Sequence, residues 1–91
     1  IDPASGVLIE GDFGDQAHQA FINLRAIIEE SGVRMSNCVK INAYLTDLDN
    51  FAEFNTVMAH YFAEPFPARA AVGVSSLPKN SLVEIEAIVA S

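Results

Sequence analysis

Between residues 15 and 32 apolar side chains recur at helical spacing. Ala17, Ala20, Phe21, Leu24, Ile27 and Ile28 fall on one stripe, so this stretch predicts an amphipathic helix. Asp15 is the expected N-cap, and Gly32 stands where a left-handed residue closes a helix. The period then changes to two. Val39, Ile41, Ala43 and Leu45 alternate with Lys40, Asn42, Tyr44 and Thr46, which predicts a strand with one buried face. A second helix is expected from Asn50, with Glu53 completing a capping box and Phe51, Phe54, Met58, Tyr61 and Phe62 as its stripe. Pro65 and Pro67 stop it. Residues 68–76 and 82–90 read as two further strands around the turn Leu77-Pro78-Lys79-Asn80-Ser81.

Before the first helix, Pro3, Gly6, Gly11 and Gly14 surround the short apolar piece Val7-Leu8-Ile9, a loop with at most one brief strand. The order is therefore α-β-α-β-β, an α+β chain whose 91 residues make a single domain. Each helix has one apolar stripe to bury, so both are expected on the same face of the sheet. In the last strand Val83, Ile85, Ala87 and Val89 point one way, and Glu84, Glu86 and Ile88 the other. Three strands alone leave a narrow sheet with open edges, so further strands, partner subunits or both are expected to cover it.

Composition removes several function classes. Apolar residues make up 51% of the chain, enough to fold, yet no apolar run approaches the roughly 18–20 residues of a membrane span. No basic segment leads into an apolar one as a secretory signal would. Cys38 is the one cysteine and has no disulfide partner within the chain, so a reducing compartment, the cytoplasm, is expected. The net charge of -7 and the scatter of Arg25, Arg34, Lys40, Arg69 and Lys79 argue against nucleic acid. His18 and His60 lie far apart on separate helices, with no second ligand at i+4, so no metal site is expected. Cys38 reads as buried and inert. A nucleophile elbow, a phosphate-cradling glycine loop and a dinucleotide fingerprint are all absent, so no cofactor is expected.

The tail carries a compound motif. Pro67-Ala68-Arg69-Ala70-Ala71-Val72 is followed by Ser75-Ser76-Leu77-Pro78-Lys79 and then by Val83-Glu84-Ile85-Glu86-Ala87-Ile88. Together with Val39-Lys40, Leu48-Asp49-Asn50-Phe51 and Phe54-Asn55, this resembles the signature of the RidA/YjgF family over Gly6 to Ala90. The resemblance implies a ββαβαββ fold like that of the trimeric chorismate mutases, with two helices on one face of a mixed sheet. It also implies a homotrimer with pockets between subunits, and hydrolysis of reactive 2-imino acids such as 2-iminobutanoate and 2-iminopropanoate without a cofactor. On that alignment the first two strands fall before Ile1, and the chain, which has no initiator Met, reads as N-terminally truncated.

Taken alone, Arg69 would be an ordinary surface cation. Within the signature it is the expected anchor of the substrate carboxylate, because a guanidinium offers two parallel donors. Glu86 is expected to position the attacking water and accept a proton. If the last two strands formed a hairpin, residues 69 and 86 would lie opposite one another on adjacent strands. Glu84 shares that strand parity as a weaker candidate. Asn55 matches a family position near the pocket, and Ala71 stands where members often carry a cysteine. Two rivals remain: a non-catalytic trimer binding small carboxylates at Arg69, and a structural subunit that has lost its pocket.

Overall fold

A computed structural model describes residues 11–64 and 66–90. The brief strand expected at Val7-Leu8-Ile9 and the stop at Pro65 lie outside the described residues. The elements are α1 (Phe13–Glu30), β1 (Cys38–Leu45), α2 (Phe51–Ala59), β2 (Ala68–Gly73) and β3 (Val83–Val89), with short 3-10 turns at residues 35–37, 48–50 and 78–80. The α-β-α-β-β order and the α+β class are as expected. No described helix is long and apolar enough to cross a membrane.

The sheet order is β2-β1-β3, with β2 parallel and β3 antiparallel to the central strand. The expected β2–β3 hairpin is therefore a correction: β1 lies between them. Ile41, Ala43 and Leu45 form the most deeply buried row of the sheet, each at 1% exposure or less. That row gains most from neighbours on both sides, so β1 takes the middle and the other two strands become edges. The link between β2 and β3 passes through a 3-10 turn in which Lys79 and Asn80 both adopt left-handed backbone, φ 56° and 59°.

Both helices pack on the face carrying that row. Phe21 of α1, fully buried, is the hub: its ring lies 5.5 Å from Phe54, 5.4 Å from Tyr61 and 6.1 Å from Phe62. Tyr61 and Phe62 pack as the apolar stripe demands, but α2 has already ended at Ala59, so they reach the core from the following turn.

Two caps differ from expectation. Asp12, not Asp15, is the N-cap of α1. Its carboxylate accepts from the Asp15 backbone N–H at 2.9 Å, while Asp15 accepts from the Asp12 N–H in return. A box needs its acidic residues three apart, and Asp12 is the earlier of the pair. Asn50 occupies the cap position of α2 but makes no side-chain cap bond; Asp47 instead caps the preceding 3-10 turn, accepting from Asp49 N–H at 2.9 Å. Glu53 reaches across to the first turn of α1, where a Cβ on Gly14 would lie 2.5 Å from its Oε2. A carboxylate there suits the positive end of the helix. At the other end of α1, Gly32 adopts φ 90° just past the C-cap Ser31, as expected.

β1 breaks its alternation once. The ladder with β3 shifts between Cys38 and Lys40, so Cys38 and Ile41 both face inward and Val39 is left 50% exposed. Val39 was expected in the buried row and is not. Burial pushes the Cys38 thiol above its usual range, in keeping with an inert sulfhydryl.

The hub sets the first test. Phe21→Ala should lower unfolding free energy by about 3–5 kcal/mol in urea titrations. A loss below about 1 kcal/mol would mean that the helices are held elsewhere.

Candidate functional site

Side-chain alternation sends the two predicted residues to different faces. Arg69 pairs with Ile41, the buried row, and so leaves β2 on the helix side; Glu86 pairs with Asn42 and stands on the uncovered side. Within one chain they are two strands apart, about 9–10 Å in strand spacing, with the sheet between them. This corrects the hairpin register expected from the sequence.

Because β2 is an edge strand, Arg69 can reach past the sheet to α2. Its guanidinium carbon lies 5.6 Å from the centroid of the Phe51 ring. Asn55, Met58 and Ala59 of α2, with Phe66 and Arg69, line a cleft of about 260 Å³. Asn55 is half-buried, and its Oδ1 is fully buried without a hydrogen-bond partner among the described residues. An unmatched buried acceptor costs about 1–3 kcal/mol, which sets this oxygen apart in a fold where nearly all buried polar groups are paired. The cleft thus combines a guanidinium, an amide side chain and apolar walls. Ala71 lies two residues along from Arg69 on the same face, its methyl packed against the core beside Ala43. It does not line this cleft.

On the uncovered face, Glu86 is held by two residues that sequence reasoning missed. Tyr44 Oη–H donates to Glu86 Oε1 at 2.7 Å, and Asn42 Nδ2 donates to the same oxygen at 3.2 Å. Both lie on β1 at even positions, the polar parity already visible in the sequence, directly across from Glu86 and Glu84. Glu84 is the cross-strand neighbour of Tyr44. Around this carboxylate Ala68, Ala70, Val72 and Ile88 supply apolar surface, with Val72 50% and Ile88 53% exposed. A second groove, about 280 Å³, runs between α1 and β3 from Gln16 to Ile27 and has no cationic side chain in its wall. Of the two, the cleft beside α2 is the one with a guanidinium in its wall. The groups of three or more His, Cys, Asp and Glu that would hold a metal are absent among the described residues.

The family model described as Endoribonuclease L-PSP matches residues 1–91. A RutC family protein of Pyrococcus horikoshii is 48% identical over 97% of this chain and 70% of its own length. A 2-iminobutanoate/2-iminopropanoate deaminase of Dermatophagoides farinae is 48% identical over 90% of this chain; the match spans 64% of that protein. Among solved structures, RidA from an Antarctic Psychrobacter superposes with a TM-score of 0.89 at 48% identity, over 97% of this chain and 71% of that one.

The Tyr44 phenol gives a test of the Glu86 cluster. The hydrogen bond to Glu86, then burial, then the charges of Glu86 and Glu84 raise its pKa above the ordinary 10.0. The folded state keeps a proton there that the unfolded state releases. The associated stability is complete below pH 10.0 and fades as pH climbs through the raised value. Tyrosinate absorbance should show a late-titrating phenol that disappears in Tyr44→Phe; two superimposable titrations would refute the bond.

Proposed function

The chain belongs to the RidA/YjgF family, and we propose that it hydrolyses 2-imino acids such as 2-iminobutanoate and 2-iminopropanoate to 2-oxo acids and ammonia. One observation carries this reading: a cleft in which Arg69, backed by the Phe51 ring, stands beside the unmatched Oδ1 of Asn55. A 2-imino acid presents a carboxylate next to a C=N–H group. The guanidinium takes the carboxylate through two parallel N–H bonds, and Asn55 Oδ1 accepts from the imine N–H. Carbon, nitrogen and carboxylate are then fixed in one plane, with a face of the carbon open to water.

Glu86 supplies the base. Its Oε1 is engaged by Tyr44 and Asn42, which leaves the other oxygen to orient a water. Water oxygen bonds to the imine carbon, the C=N π pair moves to nitrogen, and a proton passes from water to Glu86. Returned to nitrogen, that proton completes the carbinolamine; Glu86 then takes the carbinol O–H proton and passes it to nitrogen, so that the C–N bond breaks, ammonia leaves and the carbinol oxygen becomes the 2-oxo group. The reaction consumes one water and uses no other reagent. Positioning contributes much of the rate, because such imines already hydrolyse in water.

Arg69 and Glu86 cannot meet within one chain, since the sheet separates them. The site is therefore completed between protomers of a homotrimer, one giving the Arg69 cleft and its neighbour Glu86. The apolar uncovered face, with Val72 and Ile88, supports such an association. Substrate reaches the protein in the cytoplasm, where its role is to clear a reactive intermediate. The nuclease in the family's description finds no basic surface here, with 5 Lys and Arg against 12 Asp and Glu.

Release of 2-oxo acid from freshly generated 2-iminobutanoate tests the reading. Arg69→Ala should lower kcat/KM by about 10- to 100-fold, the worth of charge-assisted hydrogen bonds. Glu86→Gln should lower kcat by about 10²- to 10⁴-fold. Equal release by wild type and Arg69→Ala, with carboxylate binding retained by the wild type, would favour the non-catalytic binder instead. Mixed trimers of the two variants should regain activity, with about a quarter of their sites intact if each draws on two protomers. No recovery would place both groups in one chain's site.

A further inference from the structure

The helices bring together the only two histidines of the chain, which the sequence places 42 residues apart. His18 of α1 and His60, the C-cap of α2, have ring centroids 5.5 Å apart with planes tilted by 43°. We propose that they form a surface site for a divalent first-row transition metal, Cu²⁺ above all, which bridges α1 and α2. The expectation that no metal pair forms rested on sequence distance, which the fold has removed.

Ring separation supports it. With a metal–nitrogen bond of about 2.0–2.1 Å, each imidazole centroid sits about 3.2 Å from a shared ion. Two centroids 5.5 Å apart then subtend about 120° at the metal, an open angle suited to two imidazoles and added waters. His18 is also prepared as a ligand. Its Nδ1 lies 2.9 Å from Tyr61 Oη; in the tautomer whose Nδ1–H donates to the phenol, Nε2 keeps its lone pair for a metal. A second partner fixing the tautomer is the usual support of a metal-binding histidine. His60 is exposed, and its ring can rotate to present a nitrogen.

The electrostatics are mixed. Arg25, whose guanidinium carbon lies 5.6 Å from the Tyr61 ring centroid, opposes a cation. The carbonyl end of α2, where His60 stands, and the net charge of -7 favour one. Two neutral nitrogens without a carboxylate select imidazole-loving ions over Mg²⁺ and Ca²⁺, and among those Cu²⁺ binds tightest. Cys38, the chain's one thiol, is buried at 7% exposure and does not compete.

Cu²⁺ titrated into the whole protein near neutral pH tests the site. We expect one equivalent bound with the electron-resonance signature of two equatorial imidazoles, and a Tm raised by at least about 5 °C at a hundredfold excess over Kd. EDTA should reverse both. His18→Gln and His60→Gln should each abolish the two-imidazole signal. Tyr61→Phe, which leaves both ligands in place, should weaken binding about 10- to 100-fold. The proposal is overturned if either glutamine variant binds Cu²⁺ as the wild type does, if the wild type shows a single imidazole, or if bound metal leaves Tm unchanged. Deaminase assays are separate: neither histidine lines the Arg69 cleft, so metal binding stands or fails independently of that activity.

Discussion

Burial of Ile41, Ala43 and Leu45 beneath two helices decides where every other side chain of the sheet points. Successive residues of a strand face opposite ways, so once this row is fixed inward, Asn42 and Tyr44 must face outward. Pairing transmits the choice to the edges: Arg69 follows Ile41 to the helix side, and Glu86 follows Asn42 to the open side. The core therefore both stabilises the fold and sorts the two charged groups onto separate surfaces. The proposed catalytic pair, divided in this way, can come together only where two copies meet.

Each half of the pair is held in place by its own neighbours. On the helix side an aromatic ring backs the guanidinium, and α2 contributes the Asn55 amide to the wall of the same cleft. On the open side a phenol and an amide fasten one oxygen of the glutamate. Neither half carries the several converging groups of a self-contained enzyme site. The proposed hydrolysis, of a bond that water already attacks, asks chiefly for alignment of a few atoms.

Much of the architecture was legible because it follows from periodicity. The alternation from Ile41 to Leu45, the two faces of β3 and the α1 stripe apart from Ile27, which is 57% exposed, map onto burial. The candidate site residues came from the compound motif; the structure brings Arg69 and Asn55 to one cleft and leaves Glu86 on the other face of the sheet. What failed was anything decided by contacts between distant segments. A turn-rich link between two strands says that the chain reverses, but not that a third strand has slipped between them. Nor does spacing foretell that an 18-residue and a 9-residue helix will set His18 against His60. The end of α2 was misjudged for a related reason: Tyr61 and Phe62 continue the apolar rhythm after the backbone has left the helix, because the pocket around Phe21 still needs filling.

The bulge at the start of β1 has a consequence for how the chain tolerates change. By absorbing Val39 it resets the parity of the strand, so the segment upstream of Lys40 is decoupled from the rest of the ladder. A residue gained or lost upstream can be taken up by that kink, leaving Tyr44 beneath the glutamate. The same event two positions later would transpose the sheet's inner and outer surfaces and erase both half-sites in a single step.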